Sequence, residues 1–147
     1  MLLALVGLSR SRWNVWSSLR AFGHLYEEAR AVLARVQLEH LAGRRIAEIS
    51  YGEKRRVEIA MALAQKPRIL LLDEPLAGLS REERASVKAL IAGIPRDVTV
   101  VMIEHDMDTA LELAERVTVL HYGKLIVDGT RADVVADVRT REVYLGH

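Results

Sequence analysis

The 147-residue chain has no cysteine, only three prolines, and aromatic residues at 5% of its positions. The lack of cysteine excludes disulfides, thiolate metal sites and cysteine nucleophiles, and it fits a reducing compartment. An excess of one charge is also missing, because 21 Lys and Arg residues oppose 20 Asp and Glu residues, for a formal net charge of +1. The whole-chain charge therefore gives no reason to expect nucleic acid or an anionic membrane as a partner.

Long apolar runs are absent from the sequence too. Residues 1–8 are apolar, but they fall far short of the ~20 residues that a membrane-spanning helix needs, and no basic stretch of a signal peptide precedes them. We interpret this segment as the end of a helix. We therefore expect a soluble chain that reaches a membrane only through a partner protein. Half of its residues are hydrophobic, which suffices for one globular domain with a core.

A phosphate-cradling P-loop is missing from the 147 residues. This loop has the pattern Gly-x-x-x-x-Gly-Lys-Ser/Thr, in which backbone N–H groups wrap the phosphates and the lysine reaches the terminal ones. The only Gly-Lys pair is Gly123-Lys124, with Thr118 in the place of the first glycine and Leu125 in the place of the hydroxyl residue. The pair is more typical of a β-hairpin turn.

The hydrophobic pattern changes character along the chain. From His24 to Val36 apolar residues recur at helical spacing, and residues 54–65 contain neither glycine nor proline, so both segments are predicted to be helical. Further helical stretches are predicted at 81–92 and 107–115. Short apolar runs occupy residues 69–72, 98–103, 117–120 and 125–127. The alternation predicts an α/β fold with a mostly parallel sheet, and the last two runs predict an antiparallel hairpin at its edge.

Residues 9–20 interrupt the apolar pattern and place both tryptophans, Trp13 and Trp16, among three arginines. We interpret them as a surface loop whose tryptophans pack locally. Stacking on bases, or contact with a membrane protein, is the alternative.

Two carboxylates follow the first apolar run, in the sequence Ile-Leu-Leu-Leu-Asp-Glu-Pro from residue 69 to 75. Four aliphatic residues before Asp73 and Glu74 are typical of a buried parallel strand that delivers acidic groups to the carboxyl edge of a sheet. Ligands bind at that edge in open α/β folds. Taken alone, the pair also fits a turn before Pro75. His105 follows the next apolar run.

The segment Ile-Ser-Tyr-Gly-Glu, residues 49–53, has the pattern of a helix start. Ser50 followed three residues later by Glu53 is the sequence of a capping box. Three cations, at residues 54–56, then lie at the positive end of the helix dipole, which is unfavourable unless an anion is near. Because Gly52 allows close backbone approach, this helix start is a candidate anion site, and a phosphate would relieve the unfavourable charge.

These motifs, in this order, resemble those of the ATP-binding cassette (ABC) ATPases, with a signature at 49–53, a Walker B strand at 69–75, a D-loop at 77–80 and a switch histidine at His105. The Ser-Tyr-Gly signature and the ending at 143–146 are most similar to the ATPases of branched-chain amino acid importers. The resemblance implies a partial P-loop NTPase (RecA-like) nucleotide-binding domain. Residues 1–66 would form its helical subdomain, and residues 67–147 the C-terminal part of its ATPase core.

The same resemblance implies roles for the signature residues. Ser50 would donate to the γ-phosphate of ATP held by an opposite subunit, and Gly52 would supply a backbone amide. Tyr51 and Glu53 would stand in the same phosphate-binding segment, in place of the commoner glycine and glutamine.

For the second motif, the resemblance implies that Asp73 holds Mg²⁺, usually through its water shell, and that Glu74 is the general base. His105 would contact the γ-phosphate; its alternative role is that of a histidine beside the helix N-cap Asp106. Ser80 departs from the aspartate or asparagine usual at the end of the D-loop, which weakens the expectation of coupling between subunits through that residue.

The implied function is that of an ATP-binding and ATP-hydrolysing subunit of an importer for branched-chain amino acids or related amides, with ATP and Mg²⁺ as cofactors. Its partners would be a second ATPase subunit, in a homo- or heterodimer, and a transmembrane permease that holds it at the inner face of the membrane, with no nucleic acid and no direct membrane insertion.

Three parts of such a domain have no counterpart in the chain, namely the adenine-stacking aromatic, the Walker A motif and the Q-loop. We therefore expect the chain alone neither to bind ATP tightly nor to hydrolyse it. Since the switch strand of the family pairs with the Walker A strand, residues 98–103 should be an exposed apolar edge. The alternative function is a non-catalytic protein that binds and modulates an intact ATPase or permease.

Overall fold

The computed structural model describes residues 23–145 of the chain. The predictions for residues 1–8 and 9–20 lie outside this range, as does the last residue of the ending at 143–146. The described residues form two compact units: one contains residues 23–71 and Pro75–Val101, and the other contains Leu72–Glu74 and residues 102–145. The division into a helical subdomain and an ATPase core at residue 66 stays a prediction.

Helices dominate the first unit, and the predicted ones are confirmed. Its helical elements are α1 (Gly23–Arg35), two 3₁₀ turns (Glu39–Leu41 and Ile46–Glu48), α2 (Tyr51–Ala64) and α3 (Arg81–Ala92). Helix α2 packs against both α1 and α3. Their shared core contains Leu33, Val36, Leu38 and Ala60, which are buried together.

Two of the predicted apolar runs form strands that pair side by side, β1 (Ile69–Asp73) and β2 (Thr99–Ile103). The Thr99 amide donates to the Arg68 carbonyl at the start of the pair, and the Glu74 amide donates to the Ile103 carbonyl at its end, both at 2.9 Å. Residue numbers rise in the same direction along both strands, so the pair is parallel, as predicted.

The prediction that β1 is buried is wrong for one of its faces. Leu70 is buried, but Ile69 is 60% and Leu71 is 72% exposed. A parallel strand is buried on both sides only where both faces of its sheet are covered. Within the described residues, one side of β1 has no such cover. The predicted exposure of the second run is confirmed, since Val101 and Ile103 of β2 are also exposed.

The second unit ends in a hairpin and short helices. Its elements are α4 (Met107–Leu113), β3 (Val117–His121), β4 (Lys124–Gly129), α5 (Arg131–Ala136), α6 (Val138–Thr140) and a π-helical turn (Arg141–Leu145). Tyr122 and Gly123 both have positive φ, 47° and 72°, as a two-residue hairpin turn requires. The predicted hairpin is therefore confirmed, although β3 and β4 pair with each other and extend no other strand described.

A second core holds this unit together, formed by Leu111, Val117, Val119 and Val134. These side chains come from α4, β3 and α5, so the hairpin has one face packed on helices. Between residues 23 and 145, no helix combines the length and the apolar character that crossing a membrane requires.

Candidate functional site

The N-terminus of α2 carries the four signature residues that the sequence singled out. Ser50 is its N-cap, and the Ser50 hydroxyl accepts a hydrogen bond from the Glu53 amide at 3.1 Å. The Glu53 carboxylate in turn accepts from the Ser50 amide at 2.7 Å. The predicted capping box is thus confirmed, and such a cap contributes about 1 kcal/mol to a helix.

Tyr51 and Gly52 occupy the first turn of α2 in different environments. The Tyr51 side chain is 56% exposed, and its ring lies beside Gly78 in the D-loop segment of the same unit. Gly52 is buried. The exposed aromatic and the buried glycine therefore lie next to each other at the helix start.

A residue that sequence reasoning did not select, Glu83, binds this helix start. One of its carboxylate oxygens, Oε1, accepts from the Ser50 hydroxyl and from the Gly52 amide, each at 2.9 Å. The other oxygen, Oε2, accepts from the Ser80 amide at 3.1 Å. Glu83 thereby joins the N-terminus of α2 to the N-terminus of its own helix, α3.

These bonds stabilise the ionised carboxylate. The Gly52 amide contributes most, followed by the amide of Ser80 and the hydroxyls of Ser50 and Ser80, and together they lower the pKa of Glu83 from its ordinary 4.5 to about 2. At neutral pH the side chain is an anion held by four donors, including both helix starts.

Two of the three cations at the start of α2 have hydrogen-bond partners within the chain. Arg55 donates to the Pro75 carbonyl and to the Glu58 carboxylate, each at 3.0 Å, and Arg56 donates to the Val36 carbonyl at 3.3 Å. An anion does lie beside this helix start, the carboxylate of Glu83. That a phosphate binds here stays a prediction.

A sequence signal for part of this arrangement existed. Ser80 and Glu83 have the same Ser-x-x-Glu spacing as Ser50 and Glu53, and both capping boxes form. The spacing predicts the bond from Glu83 to its own N-cap. It gives no information about Oε1, which accepts from Gly52 and Ser50, 31 and 33 positions earlier in the chain.

In the second unit, the end of β1 carries the predicted acidic pair. Asp73 is the last residue of the strand, and Glu74 follows with φ at +41°, a left-handed conformation that is uncommon for residues other than glycine. The Glu74 amide donates to the Ile103 carbonyl, which fixes this turn of the backbone against the end of β2.

His105 lies next to Glu74. Its Nδ1 is 3.3 Å from the Glu74 carboxylate, and both side chains are open to solvent, with 71% of the histidine and 46% of the glutamate exposed. The following residue, Asp106, is the N-cap of α4 and accepts from the Thr109 amide. The structure therefore brings two of the three predicted residues of this motif into direct contact, beside an ordinary helix cap.

The acidic residues at this strand end are few for a metal site. Across residues 23–145, no group of three or more His, Asp or Glu side chains could hold a metal ion by itself. Mg²⁺ commonly binds through one or two carboxylates together with substrate phosphates and water. Asp73, the predicted Mg²⁺ ligand, suits that shared kind of site, in which a nucleotide would supply further ligands.

The chain is similar to known proteins of one family. The model of the ABC transporter family matches residues 8–77. The chain is 39% identical over 116 residues to the high-affinity branched-chain amino acid transport ATP-binding protein of Pseudomonas aeruginosa, covering 78% of this chain and 46% of that protein. It is 41% identical over 105 residues to the spermidine/putrescine import ATP-binding protein of Pseudomonas fluorescens, covering 70% of this chain and 29% of that one.

A solved structure shows the same fold. The crystal structure of an ATP-binding cassette of an ABC transporter in its ADP conformation matches with a TM-score of 0.72 and 28% identity, over 82% of this chain and 50% of that one. The chain thus spans about half or less of the length of these three proteins. By these matches, the chain belongs to the family of ABC transporter ATP-binding proteins and has the fold of their nucleotide-binding domains.

Proposed function

We propose that the chain is the ATP-hydrolysing part of an ABC importer for branched-chain amino acids or related amides. The cargo is supported by the Ser-Tyr-Gly signature and by the likeness to a branched-chain amino acid transport protein. The likeness to a polyamine import protein shows that similar chains serve different cargoes. The support for the ATPase role therefore comes from the site, and the support for the cargo comes from the relatives.

One observation carries the ATPase role, the contact between Glu74 and His105 at the end of β1. Hydrolysis of the β–γ phosphoanhydride bond of ATP needs a group that orients or deprotonates water, and an exposed carboxylate next to an imidazole can do this. The left-handed backbone at Glu74 costs on the order of 1–3 kcal/mol, and such strain concentrates at functional sites. Glu74 is the proposed general base, and His105 the residue that orients it and contacts the γ-phosphate.

The remaining roles follow the family pattern. Asp73 would hold Mg²⁺, which when bound neutralises phosphate charge. The signature residues Ser50, Tyr51, Gly52 and Glu53 would contact the γ-phosphate of ATP bound by a second subunit. Because the phosphate-cradling loop is not among the 147 residues, each complete site must draw that loop from elsewhere.

The proposed partners are a second ATPase subunit and a transmembrane permease. The permease would hold the chain at the cytoplasmic face of the membrane. Closure of the two ATPase subunits around ATP would then be transmitted to the permease.

A fusion protein tests the ATPase role. The part of the Pseudomonas aeruginosa relative that precedes the matched region would be joined to this chain, and Mg-ATP turnover would be measured. We expect turnover in the fusion and none in the chain alone. Glu74→Gln should lower the turnover rate by roughly a hundredfold or more, since it removes the base.

Glu82→Gln is the matched control, because Glu82 is an exposed carboxylate on α3 and is not among the proposed site residues. It should leave turnover unchanged. Turnover in the fusion that is insensitive to Glu74→Gln would contradict the proposed role of Glu74. Turnover in the chain alone that Glu74→Gln abolishes would contradict the need for an external phosphate loop.

A further inference from the structure

Glu83 occupies the place where an anion would bind the signature. Its Oε1 accepts from Ser50 Oγ and from the Gly52 amide, which are the two donors that the proposed function assigns to a γ-phosphate. A carboxylate oxygen and a phosphate oxygen make the same charge-assisted bonds to such donors. One oxygen of the chain itself therefore already uses both of them.

Glu83 also fills the space beside Gly52. A Cβ atom added at Gly52 would lie 2.5 Å from Glu83 Cγ and 2.7 Å from its Cβ and Cδ, which is closer than van der Waals contact allows. The glutamate side chain therefore lies directly against Gly52, on the side where a Cβ atom would stand. A phosphate cannot approach the Gly52 amide from this side while Glu83 remains.

Capping of α3 does not require this contact. Oε2 alone bonds the Ser80 amide and completes the capping box of α3. Helix α5 shows that the shorter aspartate suffices for that purpose, since Asp133 accepts from the Thr130 amide at 2.8 Å in the same capping position. Of the two oxygens of Glu83, one caps its own helix and the other reaches the signature.

We propose that Glu83 is an internal ligand of the signature's anion site, and that a phosphate group binds Ser50 and Gly52 only after Glu83 has withdrawn from them. This inference rests on the proposed role of Ser50 and Gly52 as phosphate ligands. The bond from the Ser80 amide goes to the other oxygen, Oε2, so the cap of α3 can persist when Oε1 leaves the signature.

The test is a titration of the ¹⁵N-labelled chain with sodium phosphate at constant ionic strength, following the Gly52 amide. The wild-type chain should show no saturable shift over the millimolar range. Glu83→Asp keeps the charge and the cap of α3 but is one methylene too short to reach the signature. It should show a saturable shift, with phosphate affinity raised roughly tenfold or more, as expected when a competing charged hydrogen bond is removed.

Glu83→Gln serves as a second variant, since glutamine also completes a capping box and has no charge. Glu82→Gln is the control and should behave like the wild type. Adding Ser50→Ala to Glu83→Asp should abolish the gain in phosphate affinity, which would show that the phosphate binds at Ser50.

Each other outcome overturns the inference in a different way. Equal phosphate binding by the wild type and both Glu83 variants would show that Glu83 does not compete, and would leave the phosphate role of the signature standing. No binding by any variant, although the Gly52 signal has moved because Glu83 is gone, would overturn the phosphate role as well. Turnover of the fusion protein would still decide the role of Glu74 separately.

Discussion

Two glutamates near the two motifs differ in what surrounds them. Glu83 in the first unit is bonded by the starts of two helices, and its carboxylate oxygens both have donors. Glu74 in the second unit is about half exposed and lies beside an exposed histidine, on a strained backbone. A carboxylate satisfied by its own chain holds structure together, whereas an accessible carboxylate next to an imidazole is available for chemistry.

The two motifs of this chain therefore differ in how accessible their proposed nucleotide-binding groups are. The strand end presents its proposed catalytic pair to solvent. The signature presents donors that an internal anion already uses. Sequence motifs alone suggest that both are equally open to a nucleotide.

The largest expected effect concerns a buried leucine in the unit that contains Glu83. Leu76, between Pro75 and the D-loop, is 2% exposed, so Leu76→Ala should lower the free energy of unfolding by about 2–5 kcal/mol. Leu71→Ala makes the same change on the uncovered face of β1 and should cost within about 0.5 kcal/mol. Urea denaturation of both variants measures this, and equal losses would contradict the exposed face of β1.

A smaller loss of stability should follow from adding a methyl group at the contact between Gly52 and Glu83. Gly52→Ala places a methyl group against Glu83, which must then shift, and this overpacking should cost about 1–3 kcal/mol of unfolding free energy. Gly43→Ala adds the same methyl group where no atom lies within 4 Å and should be nearly neutral. A thermal melt of Gly52→Ala that matches Gly43→Ala would show that Glu83 does not lie on Gly52.

The smallest expected effect is on how the stability of the chain depends on pH in the acidic range. Because the pKa of Glu83 is lowered on folding, its ionised form stabilises the chain above pH 4.5, and this contribution is lost as the pH falls towards about 2. Glu83→Gln should therefore flatten part of the decline of stability over that range, while Glu82→Gln should not. Denaturation at several pH values measures the slope, and equal slopes for wild type and Glu83→Gln would contradict the account.

Sequence reasoning succeeded where the deciding contacts are local. The helix at Arg81–Ala92, the box at Ser50 and the turn at Gly123 depend on residues within a few positions of each other. Their patterns therefore appear directly in the order of amino acids.

It failed where distant segments decide. The reach of Glu83 to Ser50 depends on how α2 and α3 pack, and nothing in the sequence near either residue encodes it. The exposure of Leu71 likewise depends on what covers a strand, because an aliphatic run looks the same whether one or both of its faces are buried. The left-handed backbone at Glu74 has no signal in the sequence, because the residue is not a glycine.

The most direct test of the central claim is the titration of the Glu83 carboxyl group in the wild-type chain, followed by its ¹³C chemical shift together with the Gly52 amide. The account predicts a pKa of about 2, and a Gly52 signal that changes over the same pH range. A carboxyl that titrates near the ordinary 4.5, with a Gly52 amide indifferent to it, would contradict the contact and the internal occupation of the signature inferred from it.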